Sequence, residues 1–229
     1  MSIKGVLFDF GGTLNSNGDH WGALFREKLI EEFPEQSVET LEGAYITSER
    51  RLVREGLRAE TFQQTLYLQV AYQFEALGDH RNGRAVEIAD QFYQMTVRRM
   101  EEVRTLLRDL ALRYRIGIVS NFYGNLDAIC TEFDLQQFLT LTIDSALLGV
   151  RKPDPEIWRR AIAQLGFLPE EIAIVGDSWK NDIAPGNSLG CRTIWYRGME
   201  WRPASGLEQA NHVIHSLDDL RAILLRSSY

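Results

Sequence analysis

The stretch Ile3-Lys4-Gly5-Val6-Leu7-Phe8-Asp9-Phe10-Gly11-Gly12-Thr13-Leu14 decides the reading of this chain. An apolar run ends on a carboxylate, and two glycines and a threonine follow within four residues. Five more runs rich in apolar or β-branched residues lie downstream: Arg115–Ser120, Leu139–Ile143, Ile172–Val175, Arg192–Tyr196 and His212–Ile214. The best of them are apolar nearly throughout rather than alternating, which suits strands buried on both faces of a parallel sheet. From the second run onward, helical or loop segments separate them. The expected fold class is therefore α/β, a Rossmann-like parallel sheet covered by crossover helices. One such helix is expected to start at Asp154 as N-cap, with Pro155 in its first position. Ile157, Ala161, Ile162 and Leu165 form its apolar stripe, and Gly166 stops it.

The interval between the first two runs is different. Roughly a hundred residues lie there without a strand signal, where a crossover needs only a few tens. Helical stripes fill it: Trp21, Leu24, Phe25 and Leu29; Leu41, Ala44, Tyr45 and Leu52; Phe62, Leu66, Val70, Phe74 and Leu77; Phe92, Met95 and Met100. The sequence thus predicts a helical subdomain over residues 19–100 inserted into a core of residues 1–18 and 101–229. Aromatic residues at helical spacing share one buried face, so the stripes read as packing.

Composition narrows the function classes. The 229 residues carry 25 basic and 32 acidic side chains, a formal charge of −7, with no basic block, which argues against nucleic acid as a partner. The chain is 45% hydrophobic and 25% charged, as globular proteins are. No apolar run approaches the roughly 20 residues of a membrane helix, and the N-terminus does not read as a signal peptide. Cys130 and Cys191 lack metal or redox spacing. A soluble cytoplasmic protein is expected.

Ligands of a parallel sheet bind beyond the carboxyl ends of its strands, so the residues after each run are the candidates. They are Asp9-Phe10-Gly11-Gly12-Thr13, then Ser120-Asn121, then Lys152 before the Asp154 helix, then Gly176-Asp177-Ser178-Trp179-Lys180-Asn181-Asp182. Each has an ordinary explanation alone, as a turn, a cap or a solvated lysine. Together they give a carboxylate, a hydroxyl, a lysine and two more carboxylates, in order, all at strand or loop ends.

That ordered set resembles the haloacid dehalogenase-like (HAD) hydrolases, most of which are phosphatases. The resemblance covers residues 1–18 and about 101–225; the inserted helices match the family's helical cap of the first type by position and character. It implies that Asp9 is a nucleophile forming an aspartyl-phosphate, that Ser120 and Lys152 supply the second and third motifs, and that Asp177 and Asp182 supply the fourth. Phosphoryl transfer needs alignment and charge neutralisation, and Mg²⁺ prefers oxygen ligands, so Asp9, the Gly11 carbonyl, Asp177 and Asp182 make a reasonable Mg²⁺ site. Thr13, Gly12, Ser120, Asn121 and Lys152 are the expected phosphate-binding set. The implied substrate is a small phosphorylated metabolite.

One residue departs from the pattern. The family's phosphatases usually carry a second Asp two positions after the nucleophile, to protonate the leaving oxygen; here that position is Gly11. General acid–base help is worth about 10²–10⁴-fold. One explanation is a leaving group that needs no proton, as in acyl, aryl or anomeric phosphates and phosphoanhydrides. Asp19 or His20 could instead supply the acid, although Asp19 also reads as a helix N-cap. A third possibility is a non-catalytic relative that binds a phosphorylated ligand or a protein. Dehalogenase chemistry needs no metal and does not use the Gly176-Asp177 pair, and a phosphonatase would need a cap amine, for which only Lys28 is available. Arg50, Arg54 and Arg58 share a helix face, either for a second anionic group or as a solvated surface. Trp179 reads as an entrance residue or as packing.

Overall fold

The computed structural model describes residues 2–202, 205–206 and 209–225. Residues 1, 203–204, 207–208 and 226–229 of the expected core lie outside this set. Six strands form one sheet: β1 (Gly5–Phe8), β2 (Arg115–Ser120), β3 (Leu141–Asp144), β4 (Ile172–Gly176), β5 (Arg192–Tyr196) and β6 (His212–Ile214). All neighbours are parallel, in the order β3-β2-β1-β4-β5-β6. β2, β5 and β6 have the bounds the sequence predicts. β1 starts two residues later, at Gly5, with the Lys4 backbone already bonded to Glu171 at 2.8 Å and to Arg115 at 3.0 Å. β3 starts two residues late, after a 3-10 turn over Gln136–Phe138.

Side chains alternate between two apolar layers, as a pleated strand requires. Val6, Phe8, Ile116, Ile118, Ala173 and Val175 face one layer with α4 (Asn82–Ala111), α5 (Leu126–Glu132) and α9 (Leu217–Leu224). Leu7, Val119, Ile172 and Ile174 face the other with α7 (Glu156–Leu165). Burial on both faces explains the continuous apolar runs. Two short helices complete the set, α6 (Ser145–Leu148) and α8 (Ala184–Leu189).

Between β1 and β2 run α1 (Trp21–Glu32), α2 (Val38–Glu55), α3 (Phe62–Ala76) and α4. The four predicted stripes fall on these four helices. Trp21, Phe25, Phe62 and Phe92 pack ring against ring, with centroids 4.8–5.9 Å apart. Phe10, in the loop after β1, meets Phe62 edge-on at 6.1 Å, so the apolar layer runs unbroken from the sheet into these helices. α4 continues straight through residues 100 and 101, where the sequence places a boundary.

Two caps differ from expectation. α7 begins at Glu156 behind Pro155, and Asp154 reaches past the proline to accept the Glu156 N–H at 2.9 Å. α1 is capped by His20 rather than Asp19: His20 Nδ1 accepts the Gly22 N–H at 3.0 Å. Asp19 Oδ1 instead accepts the Met199 N–H at 2.6 Å, tying the loop before α1 to the loop after β5. Among the described residues, no helix is long and apolar enough to cross a membrane.

Candidate active site

From β1 the chain moves to β2 and β3 on one side of the sheet, then returns to β4 on the other. The strand order therefore reverses between β1 and β4, and such a point opens a crevice beyond the carboxyl ends. The register sets Phe8 level with Ile118 and Val175. Asp9, Ser120 and Asp177 consequently emerge side by side.

Asp9 is buried and heavily partnered. Its Oδ1 accepts from Lys152 Nζ at 2.6 Å and Ser120 Oγ at 3.0 Å, while Thr13 Oγ1 stands 3.4 Å from Oδ2. Lys152 Nζ also donates to Asp182 Oδ1 at 2.7 Å, and it lies 4.7 Å from the Trp158 ring centre. Asn121 locks the lysine's backbone at two points, accepting the Lys152 N–H at 2.8 Å and donating to the Lys152 carbonyl at 3.0 Å. Thr13 Oγ1 accepts the Asp177 N–H at 2.9 Å and donates to Asp177 Oδ1 at 3.0 Å. Asp182 Oδ2 accepts the Ser178 N–H at 3.0 Å within a single π turn over Trp179–Ile183.

Oxygens of Asp9, Asp177 and Asp182 gather within 4.8 Å of one another, all three residues buried. One ammonium faces three carboxylates. Burial raises Asp177 well above the usual carboxylate range, and the charges of Asp9 and Asp182 add to the rise. Burial also brings Asp182 up to about 6, against the opposing pull of Lys152. Lys152 is itself disfavoured as a cation by burial, yet Asp182 and Asp9 together hold it above its ordinary value.

This donor set fits a hard divalent cation. Asp177 Oδ2 is buried with no hydrogen-bond partner, and the Gly11 carbonyl accepts no hydrogen bond from the described residues. Three clustered oxygen donors with excess negative charge are what Mg²⁺ takes.

A cavity of about 210 Å³ opens over this cluster. Asp9, Gly11, Ser120, Asn121, Lys152, Asp177 and Asp182 all line it. Thr13 and Gly12, expected on the phosphate, do not line it: Thr13 holds Asp177, and the Gly12 N–H donates to Asn15 Oδ1 at 2.9 Å. Gly12 has φ +95°, and a Cβ there would lie 2.4 Å from Asp177 Cγ, so only glycine fits.

The cavity is also lined by residues that carry no chemical signal of their own in the sequence: Asn15, Tyr45, Glu49, Thr65, Gln69, Tyr123 and Arg151. The Tyr123 hydroxyl hydrogen-bonds Glu49, and burial raises the Glu49 carboxyl above its ordinary value. Gln69 Nε2 donates to Ser48 at 2.8 Å, leaving Oε1 buried and unpartnered. Arg151 stands out only as the neighbour of Lys152; the others are spread through helical stripes and loops.

Other candidates fall away from the cavity. Lys28 pairs with Glu31 at 2.9 Å, and Arg51 with Glu55 and Glu75. Neither they nor Arg50, Arg54 and Arg58 line the cavity. Trp179 packs against Trp195 at 5.6 Å. His20 lines the cavity and Asp19 does not.

Comparison with known proteins identifies the family and the fold. The profile of the haloacid dehalogenase-like hydrolase family matches residues 3–190. Glyceraldehyde 3-phosphate phosphatase of Pyrococcus furiosus is 29% identical over 134 residues, 55% of this chain and 53% of that protein. The chain spans about half the length of the first curated relatives it matches. Among solved structures, a dehalogenase with an intermediate complex superposes with a TM-score of 0.67 at 17% identity, covering 99% of both chains. A HAD-hydrolase of Bacillus subtilis bound to magnesium gives 0.60 at 18%, covering 98% of this chain and 99% of that one. At such identities the structural likeness shows the fold alone.

Proposed function

This chain belongs to the haloacid dehalogenase-like hydrolases, and from that premise we propose that it is a Mg²⁺-dependent phosphohydrolase working through Asp9 on a small phosphorylated metabolite with a good leaving group. The carrying observation is the buried cluster of Asp9, Asp177 and Asp182 with Lys152, at the crevice where the strand order reverses. Asp9, Asp177, Asp182 and the Gly11 carbonyl would hold the cation. When bound, it neutralises the carboxylates and the phosphoryl group, so that two anions can meet.

Asp9 attacks phosphorus and the bond to the leaving oxygen breaks, its electron pair departing with that oxygen. Lys152 holds Asp9 in place and faces the phosphoryl charge; Ser120 fixes the same carboxylate oxygen. Water then attacks the aspartyl-phosphate, releasing phosphate and restoring Asp9. The helices α1–α3 act as the cap, giving the cavity the wall that reads the rest of the substrate. Gly11 supplies no side chain to protonate the leaving oxygen, so acyl, aryl, anomeric and anhydride phosphates are favoured. Dehalogenation leaves the third carboxylate, Asp177, without a role, and a non-catalytic binder has no need for Asp9, Lys152 and Asp177 together.

The test is phosphate release with Mg²⁺ across substrates graded by leaving-group pKa, with Asp9→Asn as control. Asp9-dependent release that rises as leaving-group pKa falls is expected. Turnover indifferent to leaving-group pKa would sink the good-leaving-group assignment.

A further inference from the structure

The space beside Gly11 is open: a Cβ there would touch only Trp21 Cδ1, at 3.8 Å. Two hydrogen-bond donors line the same cavity, and both are held by geometry. His20 Nδ1 accepts the Gly22 N–H, so the neutral ring carries its proton on Nε2. Nε2 makes no hydrogen bond to the described residues, and the ring lines the cavity, stacked on Trp201 with an interplanar angle of 23°. Burial keeps this ring neutral, lowering its pKa to about 4 despite the pull of Asp9, and Arg26 opposes its charge as well. Its place at the N-terminus of α1 works in the same direction.

Asn15 is the second donor. Its Oδ1 takes two N–H groups, from Gly12 and from Trp21 Nε1, each at 2.9 Å, which fixes the amide's orientation. Nδ2 is left with no partner, although the residue is 0% exposed and lines the cavity. A buried unpaired donor costs free energy unless something accepts from it, and the acceptor missing here is an oxygen.

We propose that His20 Nε2–H and Asn15 Nδ2–H form a neutral donor pair for the leaving-group oxygen, doing by hydrogen bonding what a second Asp would do by proton transfer. This rests on the phosphohydrolase reading. As the phosphorus–oxygen bond breaks, the electron pair collects on the leaving oxygen, which accepts from both donors and departs as an anion. Solvent protonates it after release; a neutral imidazole is too weak an acid to do so in the site. Such a pair eases the charge on the leaving oxygen without supplying a proton, so acyl, enol, aryl and anhydride phosphates, whose oxyanions are stable unprotonated, stay ahead of simple alkyl esters. Donors aimed at developing charge are worth about 10²–10³-fold each in rate.

The test is kcat/KM for a series of aryl phosphates in the wild type, His20→Asn and His20→Gln. Asparagine keeps an acceptor for the Gly22 N–H but removes the donor at the Nε2 position; glutamine returns an N–H near it. His20→Asn should lose about 100-fold on poor leaving groups and little on the best, steepening the dependence on leaving-group pKa. His20→Gln should recover part of that loss. A uniform loss across the series, or none, overturns the proposal. Independently, imidazole nitrogen NMR should show His20 neutral with Nε2 protonated at neutral pH; the other tautomer overturns it without any assay. If the wild type shows no Asp9-dependent release, the phosphohydrolase reading has failed, and this role falls with it.

Discussion

The two walls of the cavity are built on different terms. The floor comes from strand ends and the loops that follow them, and its charged groups are clamped: Asp9 by Lys152 and Ser120, Lys152 by Asn121, Asp177 by Thr13. The roof comes from side chains on α2 and α3, chiefly Tyr45, Glu49, Thr65 and Gln69, with Tyr123 reaching up from the loop after β2. The roof keeps a buried, unpartnered acceptor in Gln69 Oε1 and a carboxyl, Glu49, raised by its burial. Groups fixed before substrate arrives suit one reaction, and groups left with open valences suit recognition of what that reaction acts on.

The contrast breaks most visibly at Lys152. Lys152→Ala leaves Asp9 and Asp182 buried without a counter-charge, and should cost about 3–5 kcal/mol in urea unfolding without divalent cation. A cost within about 1 kcal/mol would mean that the floor is not organised around this ammonium.

The floor should also be sensitive to pH. Asp182 holds its proton up to about 6, against an ordinary value of 3.8, so between those limits the folded state binds protons that the unfolded state has released. Without a cation, stability should therefore fall as pH rises through that window, by up to about 3 kcal/mol, and the raised Asp177 extends the fall above it. Mg²⁺ removes the repulsion once the carboxylates ionise. The rise in melting temperature on adding Mg²⁺ should be small near the lower limit and large above the upper one. An equal rise at both would place cation binding elsewhere.

Two adjacent glycines sharpen the comparison within the floor. Gly12→Ala meets both the left-handed backbone and the Asp177 carboxyl, and should cost about 1–3 kcal/mol and displace Asp177. Gly11→Ala has room and should cost under about 1 kcal/mol. Thermal unfolding of the pair decides it, and equal losses would contradict the geometry. On the roof, Gln69→Leu removes an orphaned acceptor and one hydrogen bond, so stability should move by less than about 1 kcal/mol. Its effect should appear in KM for substrates whose leaving groups carry hydroxyls, with aryl phosphates little changed.

The same contrast explains what the sequence made legible. Runs buried on both faces announce strands, and ligands cluster beyond strand ends, so Asp9, Ser120, Lys152, Asp177 and Asp182 could be picked out and do meet. Thr13 and Gly12 stand in the motif, but Thr13 bonds Asp177, 164 residues away in sequence, and the same carboxyl crowds Gly12; no local pattern reports either contact. Roof residues were hidden because a helical stripe looks alike whether it faces core or cavity: Phe25 and Tyr45 line the cavity, while Leu29 and Leu41 are core. By residue type Asp19 is the better cap, and what gave that place to His20 is the bond between Asp19 and Met199, across 180 residues of chain. α4 is a single helix whose apolar residues join both the other helices and the sheet, a continuity that a stripe of Phe92, Met95 and Met100 does not reveal.

Where the phosphoryl group goes decides whether Asp9 is the nucleophile. A reaction quenched in acid during turnover of an aryl phosphate with Mg²⁺, digested and sequenced by mass spectrometry, reads that directly. The expected result is a phosphorylated peptide covering residues 3–14 with the modification on Asp9, absent from Asp9→Asn. Phosphate release that continues in Asp9→Asn, or a phosphoryl group on any other residue, would contradict it.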